Sequence, residues 1–145
     1  MIPSKSIAVL PFVNMTNEVN NEYFSDGITE EIINALTKIE GLKVIARTSS
    51  FAFTAKNVDL RKVGKQLNVA TILEGSVRKA NNRVRITAQL IDAKDSTHYW
   101  SKNFDRELLD IFKLQDEISL LIANEVRNNF GHFEIQDQLV SKSTN

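Results

Sequence analysis

Residues 71–93 read TILEGSVRKANNRVRITAQLIDA, and the fold turns on them. From Thr71 to Lys79 the side chains alternate, with Leu73, Gly75 and Val77 on one face. Val84, Ile86, Ala88 and Leu90 alternate in the same way beyond Asn81-Asn82. Alternation with period two is the pattern of a half-buried strand, and an Asn pair tolerates the positive φ angles of a two-residue type I′ turn. The stretch predicts an antiparallel hairpin with one covered face and one wet face, the wet face carrying Arg83 and Arg85.

On the carboxyl side, a turn at Ala93–Ser96 leads to a further strand, about Thr97 to Phe104, bearing Tyr99 and Trp100. Ile111, Leu114, Ile118, Leu121, Ile122 and Val126 then recur at helical steps. This predicts a long amphipathic helix to about Asn129, closed by Gly131, with His132–Asn145 as a weakly periodic tail. On the amino side, Leu60, Val63, Gly64 and Leu67 mark a short helix capped by Asn57 or Asp59. Leu42, Val44 and Ile45 suggest a short strand, and Phe24, Ile28, Ile32, Ala35, Leu36 and Ile39 a helix stopped by Gly41. Ile7–Leu10 with Phe12 is an apolar run broken at Pro11, suited to a strand covered on both faces. Val13–Asn21 reads as a polar, Asn-rich loop.

The order is β-α-β-α-β-β-β-α. Two helical crossovers require parallel pairs of right-handed connection, and the last three strands form an antiparallel meander. The expected fold is α/β, with a five-stranded mixed sheet in the order 2-1-3-4-5. Residues 6–130 are expected to form the domain and 131–145 a tail or linker.

A chain of 145 residues fits one domain. Eighteen basic and 18 acidic side chains cancel, so no overall field draws it to nucleic acid or anionic lipid. No apolar run is long enough to span a bilayer, which argues against direct membrane insertion, and MIPSKSIAVLPF lacks the small-residue cleavage site of a signal peptide. Without cysteine there are no disulfides, thiolate nucleophiles or cysteine metal sites. That absence leaves cytoplasm and periplasm open, the cytoplasm being favoured.

Five arrangements could carry chemistry or binding. EYFSDGITEEIINAL, residues 22–36, holds Glu22, Asp26, Glu30 and Glu31, but both histidines, His98 and His132, are distant in sequence. A solvated helix face whose acids are favoured near the amino end by the helix dipole explains these carboxylates better than a metal site. Ser49 or Ser50 with His98 and Asp95 could compose a small hydrolase, yet no G-x-S-x-G elbow is present. Val63-Gly64-Lys65-Gln66 has a Gly-Lys pair without the leading glycine and the Ser/Thr of a phosphate loop, so nucleotide processing has no motif. Arg78, Lys79, Arg83 and Arg85 around the hairpin tip could touch phosphates, or simply keep the hairpin solvated. The best-placed polar groups follow the first two strands: Asn14 and Thr16 after one, Arg47, Thr48, Ser49 and Ser50 after the other. Open α/β sheets bind ligands outside the carboxyl ends of parallel strands, and Arg47 could hold an anion or a partner loop.

EYFSDGITEEIINALTKIEGLKVIARTSSFAF, LEGSVRKANNRVRITAQLIDA, HYWSKNFDREL and DIFKLQDEI together resemble a bacterial domain. It is the domain of TolB-like and adenylate cyclase-like TPR regulatory proteins, similar to the TolB amino-terminal domain and more loosely to the FlgO and CsgG lipoproteins. The resemblance spans about residues 6–130. It implies a mixed α/β module of binding or assembly type, set between an effector domain and TPR repeats. Its matching loop segment is Arg47–Phe51, and it carries over no catalytic residue, metal or cofactor. The expectation is therefore a non-catalytic interaction or sensory module of a bacterial signalling or envelope regulator. Its partner would be another protein, the parent protein's own TPR region or a small anion, with nucleic acid ranked behind these.

Overall fold

The computed structural model describes residues 2–16, 20–46 and 59–143. Its elements are β1 (Ser6–Val9), β2 (Val13–Asn14), α1 (Asn20–Leu36), β3 (Lys43–Val44), α2 (Leu60–Leu67), β4 (Thr71–Ala80), β5 (Arg83–Asp92), β6 (His98–Glu107) and α3 (Ile111–Ser143). They form a mixed α/β sheet. β1 runs parallel to β3 and to β4, and β4, β5 and β6 form the antiparallel meander. The hairpin register runs from Thr71↔Asp92 to Ala80↔Arg83, so the turn has two residues. Of the two, Asn81 alone takes a positive φ, 56°, where a type I′ turn would need both.

The strand count, and the sheet order with it, departs from the expected five-stranded 2-1-3-4-5 sheet by one added strand, while the five expected strands keep their expected neighbours. Among the described residues six strands are present, five of them in the order β3-β1-β4-β5-β6, and β2 lies off that path on β4. The sixth strand comes from Val13–Asn14, expected as loop. β1 follows β4 up to Leu10, whose N–H donates to the Leu73 carbonyl at 2.9 Å. Pro11 has no N–H to continue the ladder, and the Phe12 N–H turns away to Thr29 Oγ1 at 3.0 Å. The chain then rejoins β4 with Val13 opposite Ser76. The Phe12 ring lies against Gly75, where a Cβ would stand 2.5 Å from its Cε2 atom.

The sheet buries two cores. Ile7, Val9, Leu73, Val77, Ile86 and Leu90 meet Ile28 and Ile32 of α1 and Ile118, Ile122 and Val126 of α3. On the other face, Ala8, Leu10 and Ile72 pack with Val63 of α2, Val69 and Ala93. The unbroken apolar run of β1 thus serves a strand buried on both sides. In α3, Ile111 and Leu121 are 46% and 36% exposed, so the buried stripe runs instead through Leu114, Ile118, Ile122, Val126 and Phe130. Nor does α3 stop at Gly131; it runs to Ser143. A helical glycine costs about 1 kcal/mol against alanine, which weakens a helix without ending it. Gly41 differs, because its φ of 82° lies in the left-handed region that closes helices.

Candidate functional site

Of the six polar residues singled out at the strand ends, Asn14 and Thr16 are described. Asn14 Oδ1 accepts from the Thr16 N–H at 2.9 Å, and Thr16 Oγ1 accepts from the Lys79 N–H at 2.9 Å. With the Met15 N–H donating to the Val77 carbonyl at 2.8 Å, these bonds fasten residues 13–16 along β4. Their side chains are thus engaged in holding the backbone. Arg47, Thr48, Ser49 and Ser50, and with them Phe51 and the cap candidate Asn57, lie outside the described residues. Parallel pairing of β1 and β3 continues to the Ile45 N–H, which donates to the Ile7 carbonyl at 3.0 Å. The chain leaving Ala46 therefore starts beside the chain leaving β1.

The acids of α1 are dispersed: Asp26 and Glu30 are exposed and Glu31 is half-buried. Among the described residues no three His, Cys, Asp or Glu side chains converge on a metal-sized site. At the hairpin, Arg85 Nε meets Asp105 Oδ1 across the strands at 2.7 Å, and this bond holds the Asp105 carboxyl below the usual carboxylate range. Opposite signs therefore alternate on that face, and the basic tip does not extend into a phosphate-tracking stripe. His98 is exposed; its charge partly offsets the burial that pushes up the half-buried Glu74 carboxyl.

A cavity of about 460 Å³ opens at the opposite end of the strands, between α2, residues 2–5 and the turn after β5. It exists because α2 packs closely on that turn. A Cβ at Gly64 would stand 2.6 Å from the Ala93 Cβ, so glycine is what admits the approach. Asp59 fixes the start of α2 by accepting from the Arg61 N–H at 3.1 Å, and Asn68 ends it in the left-handed conformation. Val69, Ala70 and Ala93 give the cavity apolar walls, and Ile2 stands at its mouth. Lys5, Arg61, Lys65 and Lys94 line it against a single carboxylate, Asp92.

Both Asp92 oxygens are engaged. Oδ1 accepts from the Lys94 N–H at 2.8 Å and Oδ2 from the Tyr99 hydroxyl at 3.0 Å. Burial first, and the bond to Asp92 second, push the Tyr99 hydroxyl up to about 12, so it remains a neutral donor. Sequence reasoning missed this site because its residues come from four separate stretches. The available signal is Arg61 and Lys65, four residues apart on α2 with Gly64 beside them.

A family model for the second domain of HilA/YgeH-like transcriptional regulators matches residues 3–121. "Putative adenylate cyclase 3" of Rhizobium meliloti (strain 1021) is 54% identical over 127 residues, covering 87% of this chain and 22% of that protein. The chain thus spans about a fifth of the length of the relative it matches. Among solved structures, lipoprotein GNA1162 from Neisseria meningitidis superposes with a TM-score of 0.61 at 18% identity, covering 86% of this chain and 97% of the lipoprotein. TolB from Acinetobacter baumannii superposes with a TM-score of 0.53 at 13% identity, covering 81% of this chain and 27% of TolB. These two likenesses show the fold, and the TolB-like resemblance read from the sequence has its counterpart there. By the span of the family match, the chain belongs to the HilA/YgeH-like transcriptional regulator second-domain family.

Proposed function

We propose that residues 6–130 form a non-catalytic protein-interaction or sensory module of a bacterial signalling or envelope regulator, with 131–145 as its tail or linker. Its contact surface lies at the carboxyl ends of β1 and β3. The observation that carries this reading is the parallel pairing of those strands, which starts two loops side by side where open α/β sheets receive ligands. Asn14 and Thr16 contribute by making the first loop stiff, and Arg47, Thr48, Ser49 and Ser50 supply the contacts. The family's regulatory description supports the same reading. The cyclase name belongs to a protein of which this chain matches 22%, and the present reading leaves the activity that name suggests to the rest of that protein. The partner is the TPR region of the parent protein or another protein, and Arg47 can receive a small anionic group.

The test is a pull-down of this domain with the separately expressed remainder of its parent protein, for wild type and Arg47→Ala. A contact role predicts an unchanged melting temperature and binding weakened by about five- to tenfold or more. A melting temperature that falls, with binding per folded molecule unchanged, overturns the assignment.

A further inference from the structure

We propose that the cavity between α2, residues 2–5 and the turn after β5 is a second binding site, built for a small organic anion: a compact apolar body carrying a carboxylate or a phosphate. Its volume of about 460 Å³ is that of a small-molecule site. The walls suit the apolar body, since Val69 and Ala93 are buried members of the second core and Ala70 adjoins them. The rim suits the charge. Lys65 and Lys94 are exposed at the cavity and have no side-chain hydrogen bond or ion pair among the described residues. Arg61 is shared with Asp59 through an exposed 3.4 Å contact, from which an incoming anion can draw it at little cost.

The negative groups nearby offset this field only in part, since four basic side chains line the cavity against one carboxylate. Asp92 is bound by the Lys94 N–H and the Tyr99 hydroxyl, and Asp95 turns its carboxylate onto Thr97, accepting from both its N–H and its hydroxyl. A cation would face four like charges; a neutral ligand would leave Lys65 and Lys94 unanswered. An inorganic anion would leave the apolar walls unfilled. This site lies at the amino ends of β1 and β4, away from the surface proposed above, so either can fail without the other.

The experiment is calorimetric titration of the chain with naphthoate, naphthyl phosphate, neutral naphthalenemethanol and inorganic phosphate at low salt. Both naphthyl anions are expected to bind at least about tenfold more tightly than the alcohol or inorganic phosphate, and more weakly as salt rises. Their relative affinity decides between carboxylate and phosphate. The Lys65→Gln/Lys94→Gln pair should weaken the anions roughly five- to tenfold and leave the alcohol and the melting temperature unchanged. Lys113→Gln, on α3, should bind as wild type. Equal affinity for the alcohol, inorganic phosphate binding as tightly as its naphthyl ester, wild-type affinity in the double variant, or no binding by any probe at millimolar concentration would each overturn the proposal.

Discussion

Thr29 joins α1 to the break between β1 and β2, and replacing it with valine isolates what one buried hydroxyl contributes. Its side chain has no exposure to solvent. The hydroxyl donates to the Ser25 carbonyl at 2.8 Å and accepts from the Phe12 N–H at 3.0 Å. Valine has nearly the same volume and the same β-branching, so helix propensity and packing change little. What changes is that the Phe12 N–H, in a residue 3% exposed, loses its acceptor in a buried setting. An unsatisfied buried donor costs about 1–3 kcal/mol. With a urea slope of roughly 2 kcal/mol/M, the midpoint should fall by about 0.5–1.5 M with the slope unchanged. Trp100, the single tryptophan, packs partly buried against the main core and gives a fluorescence signal for the melt. Amide exchange supplies the local readout, because protection of the Phe12 N–H should be lost in Thr29→Val and kept in Thr29→Ser. A Thr29→Val protein within about 0.5 kcal/mol of wild type would refute the view that this hydroxyl holds the strand break.

Two further outcomes follow from neighbouring positions. Gly75→Ala places a Cβ 2.2 Å from the Thr87 carbonyl oxygen and 2.5 Å from Phe12 Cε2, and should destabilise by about 1–3 kcal/mol in the same urea assay. Wild-type stability there would mean that Phe12 can leave Gly75 freely. Glu74 has its carboxyl pushed above the ordinary 4.5 by burial, partly offset by His98. Above the raised value both states are ionised and the folded state bears the burial cost; as pH falls through that value the cost is relieved. Glu74→Gln should therefore melt higher than wild type at pH 7, and the gain should vanish near about pH 4. A gain that persists at the lower pH would show that the change acts through packing instead of charge.

Much of the architecture was legible in the residues because it rests on local periodicity. Alternation in Thr71–Lys79 and Val84–Leu90 gave the hairpin, and the three- and four-residue steps of Phe24, Ile28 and Ile32 gave α1, since each pattern records which face meets the core. The unbroken run Ile7–Leu10 marked a strand covered on both sides for the same reason. Glycine was less reliable, because Gly41 and Gly131 look alike in sequence and differ in backbone angle, a quantity set by what the following chain packs against. The sixth strand needed tertiary structure. Val13–Asn14 is a strand because β4 is long enough to receive the chain again after Pro11, and because Thr29, 17 residues away, takes the Phe12 N–H. The polar residues of the first loop were visible as composition, but the hydrogen bonds that Asn14 and Thr16 make to backbone depend on the position of β4. The basic cavity was decided by tertiary structure altogether. Lys5, Arg61, Lys65 and Lys94 are scattered in sequence and become one field only when α2 settles on Ala93, a contact that depends on the missing side chain of Gly64.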